Sequence, residues 1–399
     1  MPIDPLYARY PFFDGAREAV READLSPAAL IAEDAPAVER GRERVERALM
    51  EGTVAAEEPG RWDRREQLLS YPIARILVSL IDTPAAVDKY ATAEATTARE
   101  RFRADFSEPD EGPASRRTAS LETVLREFDL EGTVRPDRGN GPGDRRERTG
   151  ASRSPSHYWV ALGPYLDFAE SDWGSRWRLV NREVEDGEVR IASDQLYRLL
   201  EAAVEDRVAA GLPVEVRGTD GGDAIADALD PTVAALKSLL DDHDTGAHAG
   251  DEAVVPALFP PCMKALVRRA REGESLSSHA EFSLVSFLVA FGMDDQDVVT
   301  LLDVGEDSPA DDAAGGSPNE SAADEDRPPA ERIRARVEYL ADTDSTQFPP
   351  PSCTTMQSYG ICVDPDERCE TISHPLSYYT SAVSEAGDVR DWRDAANGD

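Results

Sequence analysis

Residues 348 to 379 read FPPPSCTTMQSYGICVDPDERCETISHPLSYY, and three of the chain's four cysteines, Cys353, Cys362 and Cys369, fall inside this stretch. Its prolines, its glycine and its lack of apolar periodicity give it no amphipathic face, so hydrophobic burial alone does not dictate its shape. The fourth cysteine, Cys262, lies far upstream. A fold for the last part of the chain has to explain what holds this segment and where Cys262 enters.

The compartment narrows the chemistry. No run of about 18 or more apolar residues is present, and the opening MPIDPLYARYPFFDG has neither the basic start nor the apolar centre of a signal peptide. A soluble, cytoplasmic protein with no membrane partner is expected. Thiols are kept reduced there, which disfavours two structural disulfides. Four unrelated buried cysteines are the plain alternative, but three of them in one coreless segment argue for a metal centre, because thiolate bonds can order a loop that burial cannot. Zinc sites usually carry short C-x₂₋₄-C pairs, since two sulfurs must each reach one ion at about 2.3 Å. Here eight residues separate Cys353 from Cys362 and six separate Cys362 from Cys369. Those looser spacings suit a larger body such as a four-iron cluster, with zinc as the alternative.

Charge bears on partners. The sequence holds 79 acidic and 43 basic residues, a formal net charge of -36, and only Lys89, Lys237 and Lys264 among the basic ones are lysines. Such an acidic, lysine-poor surface resembles proteins of extreme halophiles, whose carboxylates keep them hydrated in concentrated salt. At 1 M salt the screening length falls to about 3 Å, so the net charge does not exclude nucleic acid. An acidic surface made for a basic partner is the rival reading, and the spread of acids along the whole chain speaks against it.

The fold class is expected to be predominantly α. LYARYPFFDGAREAVREA, APAVERGRERVERALM and RREQLLSYPIARILVSLID repeat apolar residues every three or four positions, with Arg/Glu faces opposite. Thr83 and Pro84 form an N-cap and first-turn pair for a helix reaching about Arg103. Residues 107–119 and 134–156 read as loops, and GNGPGDR in the second is not a dinucleotide loop, for want of a preceding strand and a following helix. Asp186-Gly187 centres a hairpin over 177–191, Ser193 caps the next helix, and VEVRG is a possible further strand. The organisation expected is an N-terminal helical region (1–220) with a small embedded α/β subdomain (about 157–218), a connecting segment (221–254), and a helical C-terminal domain (255–399). That last domain includes a buried apolar helix in LSSHAEFSLVSFLVAFGM and an acidic insertion over about 305–330.

The combination FPPCMKAL, LSSHAEFSLVSFLVAFGM, FPPPSCTTMQSYGIC, a further cysteine and HPLSYY, together with ARYPFFDGAREAV at the start, resembles the large subunit of archaeal and eukaryotic DNA primase. The resemblance spans most of the chain outside the acidic insertions. It implies one 4Fe-4S cluster held by Cys262, Cys353, Cys362 and Cys369, tying the tail to the helix that follows Cys262. It also implies a non-catalytic subunit that docks on a catalytic small subunit through its N-terminal region and supports RNA primer initiation on template DNA. The expected partners are thus the small subunit, template DNA, RNA primer and nucleotides. Asp342/Asp344 and Asp364/Asp366 look like carboxylate pairs, but 79 acidic residues make such pairs common by chance, and neither receives a role.

Lys264, Arg268 and Arg271 recur at i, i+4 and i+7, with Arg269 beside them, and share one helix face. They are candidate phosphate contacts, against the alternative of a solvated face. His279 lies where the family has a histidine near the nucleotide or primer end, and a core or capping histidine is the alternative. Glu281 stands where relatives usually carry a basic residue. Tyr378 and Tyr379 are expected to pack within the domain rather than stack on bases, and His374 is open between the two roles.

Overall fold

The computed structural model describes residues 3–22, 26–58, 60–107, 119–137, 155–170, 173–243, 253–303, 329–342, 348–387 and 389–393. The chain divides into two units, one of Met1–Ala56 and Trp62–Val233, the other of Glu57–Arg61 and Ala234–Asp399. The expected predominance of helix is found in both. The segments 108–118, 138–154 and 304–328, which include GNGPGDR and almost all of the acidic insertion, lie outside the described residues.

The first unit contains α1 (Pro5–Arg9), α2 (Asp14–Glu22), α3 (Pro27–Ala32), α4 (Pro36–Glu51), α5 (Arg64–Ile81), α6 (Pro84–Ser107), α7 (Leu121–Glu127), α8 (Leu162–Phe168) and α9 (Ser193–Ala209). Caps mark where these helices begin. Asp63 accepts from the amides of Arg65 and Glu66 while the Glu66 carboxylate returns to the Asp63 amide at 2.7 Å, a reciprocal box that opens α5. Thr83 Oγ1 accepts from the Ala86 amide at 3.3 Å at the start of α6, as expected. The first predicted helix is two, because Tyr10, Phe12 and Phe13 leave the helical path and turn inward, where Tyr10 stacks on Phe13 and Phe102.

A larger departure concerns α4. Its arginines were expected on a solvated face, yet Arg40, Arg44 and Arg47 are 0%, 1% and 4% exposed. Arg44 forms a two-pronged bond to Glu94 of α6 at 2.5 and 2.8 Å, and Arg47 pairs with Glu51 at 2.8 Å. Arg40 donates to Gln67 Oε1 and to the Val54 carbonyl. Burial and the neighbouring Arg44 lower Arg40 to about 9. Burial pushes the Glu94 carboxyl up, but the Arg44 guanidinium more than offsets this and holds it below the ordinary carboxylate value. Buried charges survive only when paired and hydrogen-bonded in this way.

The embedded sheet is antiparallel, in the order β1-β2-β4-β3, with β1 Val134–Pro136, β2 His157–Ala161, β3 Val184–Glu185 and β4 Glu188–Ala192. Asp186 (φ +49°) and Gly187 (φ +81°) make the expected turn, since two positive φ angles match the twist of the paired strands. Four expectations change here, the first being that the hairpin spans 184–192 and not 177–191, because Ser175–Trp177 and Leu179–Asn181 are 3₁₀ turns. Val134–Pro136, read as loop, is a strand paired with β2; residues 214–216 join no sheet; and Ser193 is the first residue of α9, its hydroxyl donating to the Pro155 carbonyl, while Gln195 accepts from the Ala192 amide. The strand β1 also removes part of the reason given for setting GNGPGDR aside.

α10 (Gly222–His243) occupies much of the segment read as a connection. The second unit continues with α11 (Pro261–Arg271), α12 (Ser278–Ala290), α13 (Asp295–Leu302), α14 (Pro329–Asp342), α15 (Cys353–Ser358) and α16 (Pro375–Ala386). α12 is the expected core helix: Phe282, Leu284, Val285 and Phe287 have no exposed surface. Such a helix cannot be a surface element. Its polar residues are answered locally, with the Ser283 and Ser286 hydroxyls donating to the His279 and Phe282 carbonyls one turn back. Glu281, also buried, bonds Arg332 of α14 at 3.0 Å, so it acts as an internal strut between two helices.

Six described non-glycine residues have positive φ, and all are aspartates: Asp34, Asp82, Asp129, Asp186, Asp303 and Asp364. Asp82 and Asp303 end α5 and α13 in the left-handed conformation that usually falls to glycine or asparagine.

Candidate metal centre and its surroundings

Each cysteine is set by the end of an element or by a turn. Cys262 follows Pro261 in the first turn of α11, where proline's missing N–H costs nothing. Cys353 opens α15, capped by Ser352, and its amide donates to the Ser373 carbonyl at 2.9 Å. Gly360 (φ +68°) stops that helix, which lets the Ile361 and Cys362 amides both turn back to the Met356 carbonyl. Cys369 sits in a 3₁₀ turn, Glu367–Glu370, capped by the Asp366 carboxylate.

These four positions converge on one recess, open to solvent, whose wall is completed by Pro260, Met356, Val363, Ile372, Pro375 and Tyr378 among others. None of the lining residues carries a charge apart from what the thiols can acquire. All four cysteines are free of disulfides. Burial pushes the Cys262 thiol up to about 12, and the other three cysteines add to the shift. Cys353 rises to about 11, by burial and then by Cys369 and Cys362. Buried thiols such as Cys262 and Cys353, set near other sulfurs in an apolar recess, are stabilised as thiolates by positive charge brought among them. Among the described residues, no three His, Cys, Asp or Glu side chains converge closely enough to hold one metal ion.

The tail has more support than its sequence announces. Phe348, Met356, Ile361, Leu376 and Tyr379 all join the core of the second unit. His374 ties the two ends of the segment. Its Nδ1 accepts from the Leu376 amide at 3.2 Å, which leaves the proton on Nε2 to bond the Pro350 carbonyl at 2.9 Å. Tyr379 packs against Phe259, Phe287 and Phe291, donates to the Ala253 carbonyl and accepts from the Val255 amide, so its role is packing, as expected. Asp366, half of one unassigned carboxylate pair, is a structural cap; Asp344 of the other pair lies outside the described residues.

The cationic positions on α11 separate into two kinds. Lys264 and Arg268 are exposed and make no side-chain bond among the described residues. Arg271, although exposed over much of its length, donates through Nε to the Leu301 carbonyl at 2.8 Å, and Arg269 pairs with Glu274. His279 is buried at the start of α12 with its ring stacked on Tyr359, centroids 4.3 Å apart. Sequence reasoning gave Asp366 no role and did not find Tyr359 or the Met356 carbonyl: the Asp366 cap was hidden among many acidic residues, the carbonyl has no side-chain signal, and Tyr359 matters through His279, distant in sequence.

Comparison with known proteins agrees with this architecture. Residues 8–218 match the family model for the eukaryotic and archaeal DNA primase large subunit N-terminal domain, and residues 252–391 match that for its C-terminal domain. The chain is 39% identical over 396 residues to the DNA primase large subunit PriL of Haloarcula marismortui, covering 98% of both chains. It is 38% identical over 398 residues to that of Halobacterium salinarum, again covering 98% of both. The PriL of Methanococcoides burtonii is 31% identical over 383 residues, 94% of this chain and 92% of the relative. No helix among the described residues is long and apolar enough to cross a membrane. Alongside the four-thiol recess and the predominantly helical fold, these matches along nearly the whole length place the chain in the eukaryotic and archaeal DNA primase large-subunit family.

Proposed function

We propose that the chain acts in DNA replication as the regulatory, non-catalytic large subunit of DNA primase, and that its recess holds one 4Fe-4S cluster through Cys262, Cys353, Cys362 and Cys369. The observation that carries the cluster reading is the convergence of all four cysteines on one uncharged recess. A recess ringed by four thiols fits a multi-atom body better than a single zinc ion, which needs its ligands within about 2.3 Å of one centre. Four thiolates would ligate every iron, so the cluster would serve to order the domain and not to bind substrate. On this reading residues 255–399, with the insertion over about 305–330, form the cluster domain. Residues 221–254 connect it to the small-subunit docking region, 1–220, with its α/β subdomain at about 157–218.

What supports docking through the α/β subdomain is its exposed apolar side chains: Val180 is 89% exposed, Leu166 55% and Val184 48%. Val180→Glu is expected to weaken co-purification with the small subunit. Lys264 and Arg268 are proposed phosphate contacts for template DNA, RNA primer or the initiating nucleotide, because they are exposed cations in an acidic chain on the helix that carries Cys262. His279 would border that surface, and Arg271 would hold the helix in place.

Anaerobically purified protein is expected to contain about four irons and four labile sulfides per chain. Cys262→Ser or Cys353→Ser should lose the iron and destabilise the second unit. Stoichiometric zinc without sulfide would sink the cluster reading. Alone, the chain should synthesise no primer, and with its small subunit it should raise the initiation rate; template-dependent synthesis by the isolated chain would refute the division of labour.

A further inference from the structure

We infer that Tyr378 and Asp366 form a latch that fixes the Cys369 corner of the recess and the wall beside it; only the identity of what fills the recess rests on the cluster reading above. One Asp366 carboxylate oxygen accepts from the amides of Arg368 at 3.1 Å and Cys369 at 3.2 Å, and the other accepts from the Tyr378 hydroxyl. The Tyr378 side chain is itself part of the recess wall. A single carboxylate therefore couples the backbone position of one thiol to the position of the wall beside it.

The rest of α16 makes this coupling rigid. The next residue, Tyr379, is fully buried and faces the other way, held by three phenylalanines and two backbone hydrogen bonds. The helix cannot rotate to follow a loosened Tyr378 without extracting Tyr379. A second tie joins the same turn to α16 further along: the Arg368 guanidinium bonds Glu385 at 2.8 and 3.0 Å and Ser381 at 3.0 Å, and lies 5.3 Å over the Tyr378 ring. Residues 378, 381 and 385 share one helix face. Glu385 is exposed, so this tie is the weaker of the two. A tyrosine that merely filled space here would be replaceable by phenylalanine. A tyrosine that latches would not, and the hydroxyl's bond to the cap of the ligand turn assigns it to the second kind.

The test uses the full chain, purified anaerobically, as wild type, Tyr378→Phe, Asp366→Asn and the double variant, with Glu385→Gln as control. Iron, sulfide and melting temperature are expected to match wild type in Tyr378→Phe, since ring and core stay in place. A ferrous chelator under anaerobic reducing conditions should strip iron about fivefold faster from either single variant, the rate equivalent of one lost hydrogen bond of about 1 kcal/mol. The double variant should be no faster than the singles, because both remove the same bond, and Glu385→Gln should stay near wild type. A second readout needs no metal. In the chelated chain, maleimide labelling of Cys369, followed by mass spectrometry, should accelerate about as much while Cys353 does not. Wild-type stripping rates in both single variants, or equal acceleration at Cys353 and Cys369, would overturn the latch. If the wild type purifies without iron, the cluster reading fails and the maleimide arm alone decides the latch.

Discussion

Two helices carry cations at the same i, i+4, i+7 spacing and put them to opposite uses. On α4, Arg40, Arg44 and Arg47 are buried and bonded to Gln67, Glu94, Glu51 and backbone carbonyls. On α11, Lys264, Arg268 and Arg271 are exposed, and among the described residues only Arg271 is engaged, at one carbonyl. Spacing says that residues share a face; it does not say which way the face looks. The direction is set by what the other positions offer. α11 has Met263, Leu266 and Val267 to bury on its opposite side, and they take the core. α4 has apolar residues too, but α6 sets the fully buried Glu94 against it, and a buried carboxylate without a cation would cost several kcal/mol.

The largest expected effect breaks the buried member of this comparison. Arg44→Met should destabilise the first unit by about 3–5 kcal/mol, because Glu94 is left buried and alone. Adding Glu94→Leu should recover most of that loss, leaving the double variant within about 1–2 kcal/mol of wild type in denaturant melts. If the double variant stays as unstable as the single, the pair is doing more than balancing charge. Iron content should be unaffected in both, since the recess belongs to the other unit.

A smaller effect sharpens the contrast within the second unit. Asp391 accepts from the Val254 amide and pairs with Arg393 at 2.7 Å, and these bonds hold its carboxyl down at about 2. A depressed folded-state pKa contributes stability above the unfolded value near 3.8 and loses it as pH falls towards 2. After allowance for solvent screening the contribution is about 1 kcal/mol. Asp391→Asn should therefore melt lower than wild type at pH 6, with the difference shrinking as the pH is lowered from 4; a gap that stays constant across that range would assign the effect to shape and not charge.

The smallest effects separate the members of the exposed stripe. Arg271→Ala should cost about 1 kcal/mol for its lost bond to Leu301. Arg268→Ala should change stability by less than about 0.5 kcal/mol, yet lower the magnitude of the salt slope for primed-template binding by roughly one unit if the phosphate proposal holds. A titration across salt with unchanged slope would return Lys264 and Arg268 to an ordinary solvated face.

Much of the helical framework was legible because it rests on local signals. Thr83-Pro84, the all-apolar run from Phe282 to Phe291 and Asp186-Gly187 each announce a cap, a core helix or a turn within a few residues. The sheet was only half legible: β3 and β4 flank their own turn, whereas β1 is three residues long and finds its partner across the segment 138–154. The buried arginines were not legible at all, since their identity as core residues depends on Glu94, fifty positions from Arg44. At the recess, cysteine spacing pointed to a shared body, while the Asp366, His374 and Tyr378 bonds that shape it join residues whose pairing no motif records.

The order of the cysteines has a consequence for how the protein is made. Cys262 leaves the ribosome roughly a hundred residues before Cys369, an interval of about 5–20 s at synthesis rates of roughly 5–20 residues per second. Until Cys353 is made, α11 and α12 can already form, but the recess lacks three of its corners and the Tyr378 wall. The bond from Trp392 back to Val254, which joins the last described residues to the entrance of the unit, comes later still. A site that needs all four thiols can thus be completed only after Cys369 and Tyr378 have been made, roughly a hundred residues after Cys262.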